Sequence, residues 1–231
     1  METFNKIILN IPHDGTEQTT GKWKGNIEQH IKKWHDTKVR QIFLPYIDKA
    51  VSVPFCKSRF DCDVERLEND PLKEMGQGIY YTKFEDCTRK YNFDEHKHAV
   101  EDWLLHRYAI IANLVPNSLI IDCHSFPSEV CEDIDINIGF NEDFSKPSAA
   151  FITFLADFFE QYGYKVGINK PYSNSITPTQ ELAYKSVMIE LNKKIYLNED
   201  TNELLSSAYK INQMLNYLYK NILGQQWEIL Y

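Results

Sequence analysis

Two histidines stand at equivalent places in the chain. His13 lies in IPHDG and His124 in IDCHSF, each where an apolar run of strand length gives way to polar residues. Neutral imidazole is a good zinc ligand, and catalytic zinc usually takes three protein ligands and a water. Two histidines delivered to one sheet edge could share an ion. The alternative for each is a hydrogen-bonded histidine in a turn, and a lone one would favour it. Two such positions, each beside an aspartate (Asp14, Asp122), leave both readings open. Glu190 ends the apolar run SVMIE, so it is either paired with a buried cation or poised for proton transfer. SRFDCDVER (58–66) brings together two arginines, Arg59 and Arg66, and three acids. Its spacing alone favours a solvated, salt-bridged loop.

The elements that must position these groups follow from hydrophobic periodicity. KIILNI (6–11) reads as a short buried strand stopped by Pro12. Residues 23–43 carry Trp23, Ile27, Ile31, Trp34, Val39, Ile42 and Phe43 at helical spacing. A strand is expected at 51–56. A helix over 94–114, with Val100, Trp103, Leu104, Ile110, Ile111 and Leu114 as its stripe, is ended by Pro116. SLIID (118–122) and IDINIGF (134–140) read as strands, 148–162 as a helix, YKVGI (164–168) and SVMIEL (186–191) as strands, and 200–222 as a last helix. Strands separated by long helices predict an α/β fold, with a mostly parallel or mixed central sheet covered by helices on both faces. Ligands bind beyond the carboxyl ends of the strands in such sheets, which directs attention to His13, His124 and Glu190. No linker-like or low-complexity tract interrupts residues 1–231, so a single catalytic domain is expected.

Bulk properties exclude several classes. With 43% hydrophobic and 25% charged residues, global disorder is not expected. A formal net charge of −8 argues against a sequence-independent nucleic-acid binder, which needs a basic face. It leaves room for an anionic small molecule, because a local arginine pair outweighs a diffuse field. Five irregularly spaced cysteines without a CxxC pair make a disulfide framework or thiolate zinc knot improbable. No run of eighteen apolar residues and no signal-like opening segment occur, so a cytoplasmic protein without a membrane span is expected. His30, His35, His96, His98 and His106 have mostly polar neighbours and read as surface residues, with support of a metal ligand the lesser alternative for His35, which adjoins Asp36. Cys62 and Cys123 read as small packing residues.

The order of motifs resembles the N-formylglutamate amidohydrolase family, itself similar to aspartoacylases and zinc carboxypeptidases. IPHDG resembles its PHSG motif, and DTKVRQIF (36–43) its helical segment opened by an aspartate. SRFDCDVER resembles SRYxxDLNR, and IDCHSFP the segment with a second ligand histidine. VGINKPYSNSIT resembles NxPYxGGxIT, and VMIELNKKIY resembles QIEINRxLY with its catalytic glutamate. The resemblance spans nearly the whole chain. It implies a zinc carboxypeptidase-like fold and zinc held by His13, Asp36 and His124, with Glu17 as the alternative third ligand. It further implies Glu190 as general base, Arg59 polarising the scissile carbonyl, and Arg66, Asn169 and Tyr172 binding substrate. The implied reaction is hydrolysis of a small N-acyl amino acid.

The chain departs from the family pattern in places. Thr16 stands where the second residue of the carboxypeptidase HxxE pair would be. Glu65 replaces an asparagine beside Arg66, Ser173 and Asn174 replace paired glycines, and Lys193 replaces an arginine. These changes leave zinc chemistry intact while opening other readings: a different acyl amino acid, a cell-wall peptide fragment, or a non-catalytic binding member. The sequence does not set an oligomeric state.

Overall fold

A computed structural model describes residues 2–17 and 23–224. The expected domain, 1–231, also takes in residues 1, 18–22 and 225–231, which lie outside the described residues. Along the chain come β1 (Lys6–Ile11), α1 (Ile27–Trp34), α2 (Val39–Ile42), β2 (Ala50–Pro54), β3 (Lys83–Phe84), β4 (Cys87–Thr88) and α3 (Phe93–Ile111). They are followed by β5 (Ser118–Phe126), β6 (Ile136–Gly139), α4 (Ala149–Gln161), β7 (Val166–Ile168), β8 (Tyr184–Asn192), β9 (Leu197–Asn198), β10 (Glu203–Leu204) and α5 (Ser207–Ile222).

The six-stranded sheet has the order β2-β1-β5-β8-β6-β7. β2, β1, β5 and β8 run parallel; β6 pairs antiparallel with β8, and β7 follows β6 in parallel. The fold is therefore mixed α/β with a mostly parallel sheet between helices. One face packs Ile7, Leu9, Ile121 and Ile189 against α2, α4 and α5, through Ile42, Leu155 and Leu215. The other face carries a smaller apolar cluster in which Ile8 and Ile120 meet Ile110 of α3. Toward the carboxyl ends of its strands this second face turns polar: Asn10, Asp122, His124 and Glu190 follow Ile8 and Ile120 along it. Among the described residues no helix is long and apolar enough to cross a membrane.

Several expected elements differ in instructive ways. The helix expected over 23–43 is broken at residues 35–38. His35 is extended, Lys38 is left-handed with φ of 66°, and the Asp36 amide donates to the His13 carbonyl at 3.1 Å. The Asp14 carboxylate accepts from the Lys38 and Arg40 amides at 2.9 and 3.1 Å and so caps the start of α2. Asp36 thus sits in a turn tied to the histidine segment. SLIID extends into a nine-residue strand, because β5 stays in register with β8 from Ser118↔Tyr184 to Phe126↔Asn192. His124 is therefore inside the strand and not beyond it, and Glu190 is followed by two more strand residues. The apolar run ended the sequence reading early because the polar side chains occupy alternate positions.

In α3 the buried positions are Ala99, His106 and Ile110, while Leu104 is 40% exposed. Leu104 lies one residue, about 100° of helix rotation, from the face that meets the sheet. Residues 200–206, expected to be helical, instead contain the β9–β10 turn and the lead-in to α5.

Candidate metal centre and active site

His13 leaves β1 two residues after its last strand position, in a turn that requires Gly15. A Cβ on Gly15 would lie 2.3 Å from the Cys56 carbonyl carbon, closer than any side chain tolerates. This close approach sets His13 against β5, where its ring lies 5.1 Å from that of His124. The turn between α1 and α2 brings Asp36 to the same place. Its Oδ2 is 3.0 Å from His124 Nδ1 and 3.9 Å from His13 Nδ1. One donor atom from each of His13, Asp36 and His124 lies within 4.8 Å of the others, and all three residues are buried. Glu17, the alternative third ligand, is exposed, with its backbone bridged to Lys57.

The second nitrogens of both rings face carboxyl groups. His13 Nε2 is 2.9 Å from Asp63 Oδ1. His124 Nε2 is 3.1 Å from Glu65 Oε1 and 3.3 Å from Asp122 Oδ1. Metal-bound histidines characteristically use one nitrogen for the ion and give the other to a carboxylate. His13 Nδ1 is buried with no hydrogen-bond partner. An orphaned acceptor of this kind is costly unless something fills the space before it. Burial, reinforced by Arg59, holds His13 down to about 4, so its ring is neutral at physiological pH and Nδ1 keeps its lone pair. The donor set, two imidazole nitrogens and a carboxylate oxygen, fits a catalytic zinc site.

Glu190 stands beside His124 in the β5–β8 register and beside Asn137 in the β6–β8 register. Asn137 Nδ2 donates to Glu190 Oε2 at 3.3 Å and to the Tyr172 carbonyl at 2.9 Å, while its Oδ1 accepts from the Lys170 amide at 2.9 Å. One asparagine therefore ties the carboxylate to the 169–172 loop. Burial pushes the Glu190 carboxyl up to about 7.

SRFDCDVER is not a solvated loop. Asp63, fully buried, gathers His13, Arg59, Arg66 and Tyr81. Arg59 Nη2 donates to its Oδ2 at 3.0 Å and the Tyr81 hydroxyl at 2.7 Å, with Arg66 Nε at 3.4 Å. Burial opposes the charge on Asp63, but Arg59 and His13 outweigh it and hold the carboxyl well below its usual range. Arg66 also donates from Nη2 to the Tyr81 hydroxyl at 2.9 Å, and its Nη1 is 3.9 Å from Asp70. Tyr172 is 38% exposed, with its phenol pushed up by burial and by the Glu190 charge. Asn169 is left-handed at φ of 52°, and its Oδ1 accepts from the Phe140 amide at 3.0 Å, so this side-chain oxygen holds the loop.

The model of the N-formylglutamate amidohydrolase family matches residues 5–197. The chain belongs to that family. Membership sets the reaction class as amide hydrolysis. The chain is similar in structure to the N-formylglutamate amidohydrolase of Ralstonia eutropha JMP134, with a TM-score of 0.80 at 16% identity, covering 96% of this chain and 94% of that one. A gene product of Agrobacterium tumefaciens gives a TM-score of 0.59 at 17% identity over 95% and 88% of the two chains. At these identities the likeness establishes the fold. No curated protein matches the chain.

Sequence reasoning missed Asp63, Asn137, Asn10 and His106. His106, read there as a surface residue, is buried on the sheet-facing side of α3, with its Nε2 2.7 Å from Asn10 Oδ1. Asp63 carried a signal: arginines four residues before and three after place both cations on one side of a single turn. Cys62 and Cys123 are buried, their thiols donate to the Ala99 and Ile121 carbonyls, and burial pushes both well above the usual thiol range.

Proposed function

We propose that the chain is a zinc-dependent amidohydrolase acting on a small N-acyl amino acid such as N-formylglutamate. The observation that carries this reading is the orphaned Nδ1 of His13 facing Asp36 and His124, with a carboxylate behind each ring. Zinc bound by His13, Asp36 and His124 would polarise the scissile carbonyl and make water acidic enough to attack near neutral pH.

The chain's own groups then divide the remaining work. Glu190 accepts the proton of the attacking water and delivers it to the leaving nitrogen. Asn137 holds the Glu190 carboxylate in place. Arg59 faces the developing oxyanion, where one donor is typically worth about 3 kcal/mol. Arg66 offers a planar fork to the substrate carboxylate, and Tyr172 lines the approach.

Glu65 is the departure that bears most on substrate charge. Its carboxyl turns to His124 and Asp122, and burial together with the Asp122 charge pushes it up to about 8. Pushed toward its protonated form, Glu65 repels an anionic substrate less than an exposed carboxylate would. Asn174, in place of a glycine, adopts φ of 80° and so keeps a left-handed backbone at that position.

The test combines elemental analysis of the purified protein with a screen of N-acyl amino acids for release of free amine. One zinc per chain, with hydrolysis that disappears on chelation and returns with zinc, supports the reading. Full hydrolysis after complete metal removal would overturn the metal, and no release from any N-acyl amino acid would overturn the substrate class.

A further inference from the structure

A chain of hydrogen bonds runs inward from the metal centre to α3. Asp122 Oδ1, 3.3 Å from His124 Nε2, accepts from Asn10 Nδ2 at 2.7 Å. Asn10 Oδ1 in turn is 2.7 Å from His106 Nε2. The other oxygen of Asp122 accepts from the Ile176 amide at 3.0 Å. Asn10, Asp122 and His106 come from β1, β5 and α3, and all three are buried.

The donor inventory gives the chain a direction. An ionised carboxylate only accepts, so the Asn10 amide must point its NH2 at Asp122 and its oxygen at His106. His106 must then donate through Nε2–H, which fixes its tautomer. Asp122 now receives donors from Asn10 and Ile176, and its remaining side faces both the Nε2–H of His124, at 3.3 Å, and the Glu65 carboxyl. With an ion bound in place of the second ring proton, that arrangement leaves the lone pair of His124 on Nδ1, the nitrogen that faces Asp36 and His13 Nδ1; without one, Nδ1 donates to Asp36 Oδ2 at 3.0 Å. Burial holds His106 down to about 4, which agrees with a neutral imidazole that donates from one nitrogen only.

We propose that His106 and Asn10 are positioning residues for the metal centre, setting the tautomer and orientation of His124 through Asp122. The inference rests on the zinc reading of the site. His106 is otherwise hard to explain. Its surroundings on this face are apolar, with Phe55 in edge contact at 5.4 Å and Ile110 one helical turn on. An aliphatic side chain would pack there without the cost of burying a polar ring. The single feature that demands an N–H donor at this point is the Asn10 oxygen.

The experiment measures the zinc dissociation constant by competition with a chromophoric chelator, together with the melting temperature of the metal-free protein. The proteins compared are the wild type, His106→Leu, His106→Gln, Asn10→Leu and the double variant His106→Leu/Asn10→Leu. Leucine keeps the volume and removes the donor. The glutamine amide nitrogen reaches about as far as Nε2 and can donate to Asn10. Loss of a group bonded directly to a metal ligand weakens binding about 10–100-fold; His106 stands two hydrogen bonds beyond Asp122, so His106→Leu is expected to raise the dissociation constant by less, about 5–10-fold. His106→Gln is expected to stay within about 3-fold of wild type. Because both residues act through one chain, the double variant should be no worse than Asn10→Leu alone. Unchanged zinc affinity in both leucine variants, with only the melting temperature lowered, would show a packing role and overturn the inference while leaving the zinc site standing. Equal weakening by leucine and glutamine would also overturn it. A wild type that binds no zinc would overturn the zinc reading itself, and the inference with it.

Discussion

Replacing Glu190 with glutamine should cripple the enzyme and stabilise its metal-free form at the same time. The two effects share one cause. The carboxyl is buried and held at about 7, against an ordinary value of 4.5. A folded-state value raised above the unfolded one means that the native chain binds the proton more tightly. Stability is therefore fully present below 4.5, declines as pH rises toward 7, and has lost its full amount above 7. The difference of 2.5 units, at about 1.36 kcal/mol each, is roughly 3 kcal/mol. Glutamine keeps the shape, can still accept from Asn137, and never carries the charge. Metal-free Glu190→Gln should thus match wild type near pH 4 and exceed it by about 3 kcal/mol near pH 8. For a chain of this size that is roughly 6–12 °C in Tm. Removal of the proton acceptor should lower kcat by about 10²–10⁴-fold with KM little changed. Thermal melts of the metal-free proteins across pH, and steady-state kinetics of the zinc-loaded ones, check both arms. Near-wild-type turnover would refute the base assignment. Equal Tm values at pH 8 would refute the argument that burial of this carboxylate is costly.

Three further outcomes follow from named contacts. Asp63→Asn should weaken zinc binding by about 10–100-fold, measured by chelator competition. It should also cost about 3–5 kcal/mol of stability, because Arg59 and Arg66 lose a buried anion. Gly15→Ala drives a Cβ to 2.3 Å from Cys56, so we expect a loss of about 3 kcal/mol, or roughly 6–12 °C in Tm, together with weaker zinc binding as His13 shifts. Arg66→Ala should raise KM for a free-acid substrate by about 10–100-fold, as expected for one charged hydrogen bond, and Arg66→Lys less. Equal effects on free-acid and amidated substrates would remove Arg66 from substrate binding.

What the sequence made legible depends on how local each signal is. The strands that deliver His13, His124 and Glu190 are dominated by apolar residues, and their sheet is inferable from alternation with helices. Asp36 was reachable only through family likeness, because it sits in a break that periodicity reads through as continuous helix. Asn10, His106 and Asn137 were not legible, since their partners lie 112, 96 and 53 residues away, and of the partners of Asp63 only Arg59 and Arg66 are local, His13 being 50 residues away. A polar residue on an amphipathic helix looks the same to periodicity whether it faces water or a buried amide. His106 was misread for this reason.

The polar carboxyl ends of β5 and β8 also explain why burial does not simply neutralise the site. Burial alone drives histidines and carboxylates alike toward their uncharged forms. His13 and Glu190 follow that rule, one held down to about 4 and the other up to about 7. Asp36, Asp63 and Asp122 break it: His124 holds the first ionised, Arg59 and His13 the second, and His124 with Glu65 and Asn10 holds the third down to about 2. The permanent anions are therefore those in contact with the rings, Asp36 between them and Asp63 and Asp122 behind them, where they orient imidazole. Two carboxyls beside them can still gain or lose a proton near neutral pH: Glu65, which is turned to His124 and Asp122, and Glu190, which is the one proposed to move it. An ion of charge +2 at His13, Asp36 and His124 would favour the ionised form of Glu190, so loading the centre and arming the base are expected to be the same electrostatic event.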